Sequence, residues 1–188
     1  KGLIDAGNFD LAVSTGAVVE YLVAQGRFAD GSRTDVARIG IGVAIRKGSP
    51  RPDISTVDAF RRTLLNAKSI SYTRGSSAGN HLAGIMDRLG IADEMRPKTK
   101  LMGGGGQNPK AVAAGEGELG LSIIADILPV EGVEVLGPLP PELQRTIAET
   151  AGVGAGARDR AAAEALLAFL RGPLAAAVFR SKGFDPAQ

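Results

Sequence analysis

The chain has 188 residues, 44% of them hydrophobic and 4% aromatic, with a formal net charge of +2. That length holds one good core or two small lobes. Without a Lys/Arg run there is no electrostatic footprint for nucleic acid, and no stretch reaches the ~18 apolar residues of a bilayer span. With no Cys there is no disulfide, thiolate nucleophile or Cys-ligated zinc. No His/Cys/carboxylate set has metal-ligand spacing, and nothing asks for a cofactor.

Lys1 to Gly7 read as the tail of a helix, which leads us to expect sequence upstream. Phe9 to Val13 predicts a strand, followed by Ser14-Thr15-Gly16 and a helix from Ala17 to Ala24 with Val18, Val19, Leu22 and Val23 as its apolar stripe. Gly26 stops that helix. Arg27 to Arg38 is polar and irregular. Ile39 to Ile45 alternates as a strand, and the Pro-rich connection from Arg46 to Asp53 is the expected lobe boundary. Ser55 is read as the cap of a helix, with Asp58 as the far end of a capping box and Phe60, Leu64 and Leu65 as the buried face.

Lys68 to Tyr72 predicts a strand, and Gly79 to Leu89 a helix with Leu82, Ile85, Met86 and Leu89 inward. Between them lies Thr73-Arg74-Gly75-Ser76-Ser77-Ala78. The first N–H groups of a helix have no internal partner and sit at the positive end of its dipole. Ser76 and Ser77 add hydroxyls, Arg74 adds a fixed cation, and Gly75 and Gly79 permit close backbone approach. This is the chemistry of a small-anion or carboxylate site. A commoner role for Ser76 or Ser77 is a plain helix cap, and the same alternative applies to Ser14 and Thr15.

Ile91 to Lys100 reads as a charged connection. The run Gly103-Gly104-Gly105-Gly106-Gln107-Asn108-Pro109 lacks the Gly-Lys-Ser/Thr of a phosphate loop. It still exposes N–H groups, with Gln107 and Asn108 as amide donors. Asn108 is read as a helix cap with Pro109 at the first position, and the helix continues to Gly115. Strands follow at Glu118 to Ile124 and Val133 to Leu136. Pro138 to Pro141 forms an extended turn, and a strand from Gln144 to Ala148 leads back to the first lobe. Arg158 to Leu170 predicts a helix with Ala162, Leu166 and Phe169 inward. Gly172-Pro173 breaks it, and Leu174 to Arg180 forms the last helix. Strands alternating with helices predict an α/β chain with largely parallel sheets. In such sheets ligands sit beyond the carboxyl ends of strands, where the donor-rich loops lie.

The run from Ile41 to Thr56 resembles a bacterial extracytoplasmic solute-binding family, as do Arg88 to Asp93, Gly115 to Gly120 and Ile127 to Val133. The family is the type 2 periplasmic binding proteins, in the branch that looks like molybdate-binding proteins. The resemblance implies a two-lobed α/β fold with mixed, largely parallel sheets and a ligand cleft between the lobes. One lobe is expected at 1–46 with 146–188, the other at 47–145. By position, the family's ligand contacts fall on Ala78, flanked by Ser77, Gly79 and Asn80, and on Gly105, beside Gly104. A tyrosine contact falls near Ile123, next to Ser122, where this chain has no Tyr. The family's first-lobe hydroxyl loops lie upstream of Lys1, which makes Ser14 and Thr15 peripheral. Arg74 suits a carboxylate better than molybdate.

The implied function is extracytoplasmic, in the periplasm or its equivalent: capture of a small anion for the permease of an ABC-type membrane transporter, with no catalytic residue. The alternative is an isomerase of an unsaturated tricarboxylate such as aconitate. His81, the single His, is then the base, with Tyr72 and Asp126 as weaker candidates. A partly buried or capping histidine is the commoner explanation of His81.

Overall fold

The computed structural model describes residues 9–104 and 106–187; Gly105 and the helix tail expected over Lys1 to Gly7 lie outside them. The chain divides into two units, Lys1–Ile39 with Ile147–Gln188, and Gly40–Thr146. The division therefore falls inside a strand, ahead of the Pro-rich connection that follows Arg46.

The first unit opens with β1 (Leu11–Thr15), α1 (Gly16–Ala24) and the first half of β2 (Thr34–Arg46). Second-unit elements follow: α2 (Val57–Asn66), β3 (Ile70–Thr73), α3 (Ser77–Arg88), α4 (Ala92–Met95), a 3₁₀ turn (Arg96–Lys98) and β4 (Thr99–Met102). After them come α5 (Gln107–Ala113), β5 (Leu119–Ile123), α6 (Ile124–Ile127) and β6 (Val133–Pro138). The return to the first unit is β7 (Thr146–Val153), α7 (Arg160–Leu170), α8 (Pro173–Ser181) and β8 (Asp185–Pro186).

In the first unit β1 pairs antiparallel with β7, Leu11 opposite Val153 and Thr15 opposite Glu149. Val19, Leu22 and Phe28 form a small core, with Phe9 packed against it and edge-on to Phe28 at 5.5 Å between ring centroids. Val18 and Val23, expected inward, are exposed. So are Leu166 and Phe169 of α7, while Ala163 is buried. An Ala/Leu-rich helix offers more than one apolar stripe, and the one through Ala163 faces inward here.

The second unit holds a sheet in which β2 lies between β6 and β5, with β3 and then β4 beyond. β3 pairs parallel with both β4 and β5; the pairs of β2 with β5 and with β6 are antiparallel. Parallel pairing is thus less extensive than strand–helix alternation predicts. It occurs where helical segments join β3 to β4 and β4 to β5, the crossover that parallel strands require. Buried Phe60 and Leu64 of α2 and Leu82, Ile85 and Met86 of α3 belong to this unit's core.

Several boundaries differ from the sequence reading. β2 begins at Thr34, within the stretch read as irregular, because Val36 and Ala37 are buried between outward Asp35 and Arg38. β4 lies partly in the stretch read as a charged connection. Thr56, not Ser55, caps α2: its hydroxyl accepts the Ala59 N–H at 3.2 Å. Asp58 is then an acidic first-turn residue that favours the helix dipole, not a capping-box partner. Helix α5 begins at Gln107 behind Gly106, whose φ of +74° is left-handed and suits glycine.

Asn108 is therefore not a cap. It is fully buried, its Nδ2 donates to the Leu121 carbonyl at 2.7 Å, and its Oδ1 accepts from the Ser71 hydroxyl. One side chain thus fastens α5 to β3 and β5. Gly120 makes room for it, since a Cβ there would lie 2.9 Å from Asn108 Oδ1. Replacing Asn108 with Ala strands the Leu121 carbonyl away from water. We expect a loss of about 1–3 kcal/mol in urea unfolding, whereas an unchanged midpoint would deny the pin.

Candidate functional site

Because β3, β4 and β5 run parallel, their carboxyl ends share one edge of the second unit's sheet. The loop into α3, the glycine loop into α5 and the junction of β5 with α6 all start from that edge. Two bonds join the first pair of loops: the Arg74 N–H donates to the Met102 carbonyl at 2.9 Å, and the Thr73 hydroxyl to the Gly104 carbonyl at 3.3 Å. Ser14 and Thr15 lie in the other unit and inside β1 rather than in a loop, and Thr15 makes no side-chain cap bond.

The turn into α3 is built around the Thr73 carbonyl. Ser76 Oγ donates to it at 3.1 Å and accepts the Gly79 N–H at 2.9 Å, so Ser76 is the N-cap and its hydroxyl is occupied. A Cβ on Gly79 would lie 2.0 Å from the Thr73 oxygen. Gly79 is thus required by the turn's own backbone, where the sequence reading had a ligand approaching. The Asn80 N–H is also taken, by the Ser76 carbonyl at 2.9 Å.

What remains free is specific. The N–H groups of Ser77 and Ala78, the half-buried Ser77 hydroxyl and the exposed Asn80 amide have no partner among the described residues. The Arg74 guanidinium is exposed and has neither a hydrogen bond nor an ion pair among them. Gly75, at φ +69°, turns the chain directly after it. Several donors therefore lie in the first turn of α3, with one cation three residues ahead of it and no carboxylate bonded to them. At the β5 end, the Ser122 hydroxyl donates to Asp126 Oδ2 at 3.0 Å, and Ile123 contributes backbone and an apolar, half-buried side chain. Gln107 is exposed at the glycine loop, whereas Asn108 is consumed by the core contact above.

His81, in the second turn of α3, is half-buried with Nε2 2.7 Å from the Leu143 carbonyl. A carbonyl only accepts, so Nε2 carries the proton and Nδ1 holds the lone pair of the neutral ring. Tyr72 is buried on β3; burial, and then the charge of Asp87, push its hydroxyl above the usual 10.0. It is thus a proton holder, not a base, near neutrality.

The family described as bacterial extracellular solute-binding protein matches residues 2–185. Aconitate isomerase of a Pseudomonas species is 30% identical over 178 residues, 94% of this chain and 67% of that protein. The periplasmic molybdate-binding protein of Azotobacter vinelandii superposes with a TM-score of 0.75 at 21% identity, covering 100% of this chain and 83% of its own. The sulfate-binding protein SubI of Mycobacterium tuberculosis gives a TM-score of 0.75 at 20% identity, covering 100% and 72%. These likenesses bear out the α/β type 2 periplasmic-binding-protein fold, of the molybdate-binding-like kind, expected from the sequence.

The Tyr72 hydroxyl gives a pH test. A raised pKa means that the folded state holds the proton more tightly than the unfolded chain. Stability is then intact below the ordinary value and is lost as pH climbs through the raised one. The urea midpoint should fall as pH rises past about 10, and fall less in Tyr72→Phe. Equal declines in the two proteins would contradict the assignment.

Proposed function

This chain belongs to the bacterial extracellular solute-binding proteins, and on that premise we propose that it captures a small anion at the carboxyl-end edge of β3, β4 and β5. It delivers that anion, outside the cytoplasm, to the permease of an ABC-type transporter. The observation that carries this reading is the unpaired Arg74 guanidinium in the turn that leads to the free N–H groups of Ser77 and Ala78. A cation and convergent donors at a helix start recognise negative charge. Gly104 and the rest of the glycine loop supply further backbone, and Ser122 and Ile123 form the far side. Gly105 lies outside the described residues and joins the set by resemblance alone. Among the described residues no single helix is long and apolar enough to cross a membrane.

The anion is a carboxylate in this reading. A guanidinium fork matches a carboxylate with two parallel bonds, and the enzyme similar to this chain is named for the tricarboxylate aconitate. That similarity also favours a second reading, in which the protein isomerises its ligand. His81 Nδ1 is then the base that moves the proton, while Leu143 holds the ring in the required tautomer.

Thermal unfolding with citrate, trans-aconitate, sulfate and molybdate tests both readings. A ligand at 100 times its Kd stabilises by about 2.7 kcal/mol, a readily visible shift in Tm. We expect the carboxylates to raise Tm, and Arg74→Ala to lose about 1.5–3 kcal/mol of binding, the size of a charged hydrogen bond. No shift with any anion would overturn the capture reading; an equal shift in Arg74→Ala would remove Arg74 from the site. Solvent deuterium entering aconitate in the wild type, and not in His81→Ala, would identify the isomerase.

A further inference from the structure

We propose that the first unit carries a second anion site of its own, a groove between residues 30–34 and one face of α7, suited to a small, multiply charged phosphate or carboxylate. The groove has a volume of about 440 Å³, within the range of small-molecule pockets. Three arginines line it: Arg33 from the loop, Arg160 from the first turn of α7 and Arg171 from its end. Two carboxylates face them, Asp30 and Glu164. Glu164 is already taken, with Oε1 accepting from Arg160 Nε at 2.8 Å. Arg33 and Arg171 have no hydrogen-bond or ion-pair partner among the described residues, and Asp30 is the one carboxylate lining this groove that is not already paired with an arginine.

The spacing on α7 produces this arrangement. Residues 160, 164, 167, 168 and 171 recur at intervals that keep them on one helical face. Arg171 is the C-cap residue of α7, where the helix dipole favours a cation, and its side-chain donors have no partner among the described residues. A neighbouring cavity of about 380 Å³ shares Arg33 and adds Glu20 and Asp35 as competing counterions. Asp35, however, already accepts the Thr150 hydroxyl at 2.7 Å and lies 3.6 Å from Arg38. Glu20 remains as a competitor on the far side of Arg33, while on the groove side Arg33 is open to an anion shared with Arg171. Two unpaired guanidinium forks, one from the loop and one from α7, favour a ligand with at least two negative oxygen groups. An ordinary monoanion would engage only one of them.

Isothermal titration of the whole chain with citrate, and separately with inorganic phosphate, tests this against the second-unit site. The proteins compared are the wild type, Arg33→Gln with Arg171→Gln, and Arg74→Ala, each checked for an unchanged far-ultraviolet spectrum. The wild type is expected to bind at two classes of site. The double variant should weaken one class about tenfold or more and leave the other unchanged; Arg74→Ala should do the converse. Strengthening of the first-unit class by citrate over phosphate identifies a carboxylate ligand, and the reverse a phosphate. Binding that is identical in the wild type and the double variant, or a wild type with one class abolished by Arg74→Ala, would overturn the proposal.

Discussion

One carbonyl oxygen organises the second unit's candidate site. The Thr73 oxygen receives the Ser76 hydroxyl, and the same hydroxyl then accepts the Gly79 N–H. This pulls the first turn of α3 so close to the end of β3 that no side chain fits at position 79. The cap consumes Ser76 and the N–H groups of Gly79 and Asn80, and it leaves those of Ser77 and Ala78 unspent. A structural device and the candidate binding surface are thus the same turn. The donors open to the proposed anion are those left over after the cap is satisfied, and Arg74 precedes them in the chain, followed at once by the turn at Gly75.

The rest of the second unit holds that turn in place. Thr73 and Arg74 bond to the backbone of Gly104 and Met102, so the two loops are tied to each other. Behind them Asn108 joins α5 to β3 and β5 through a buried amide. An unpaired buried polar group is costly and a satisfied one rigidifies, so this amide makes the sheet edge a firm base for both loops. The residues nearest the free donors contribute no carboxylate to them. A carboxylate there would compete with the ligand for Arg74.

Much of this was legible in the sequence because it is local. The run from Ile70 to Leu89 declares a strand, a small-residue turn and an amphipathic helix, and the hydroxyl at Ser76 falls where a cap belongs. What was not legible is long-range or ambiguous. Asn108 precedes a proline and so reads as a cap; only the packing of β3 and β5 against α5 reveals a buried amide bonded to Leu121 and Ser71. The four residues of β4, Thr-Lys-Leu-Met, carry no alternation, and the strand exists because β3 offers it a parallel edge. On α7, Leu166 and Phe169 look as fit for the core as Ala163, and the helix's own sequence does not choose between them. The resemblance to solute-binding proteins survives these local errors, since it rests on the runs at Ile41 to Thr56, Arg88 to Asp93, Gly115 to Gly120 and Ile127 to Val133 rather than on any one boundary.

An anion held as proposed, by the backbone at the start of α3 together with the glycine loop, would register in the amide chemical shifts of the whole protein, followed by NMR during a citrate titration. The amides of Ser77 and Ala78 should move most, with Gly103, Gly104 and Gly106 moving in parallel along one saturating curve. A saturable response that leaves Ser77 and Ala78 unmoved would contradict that placement.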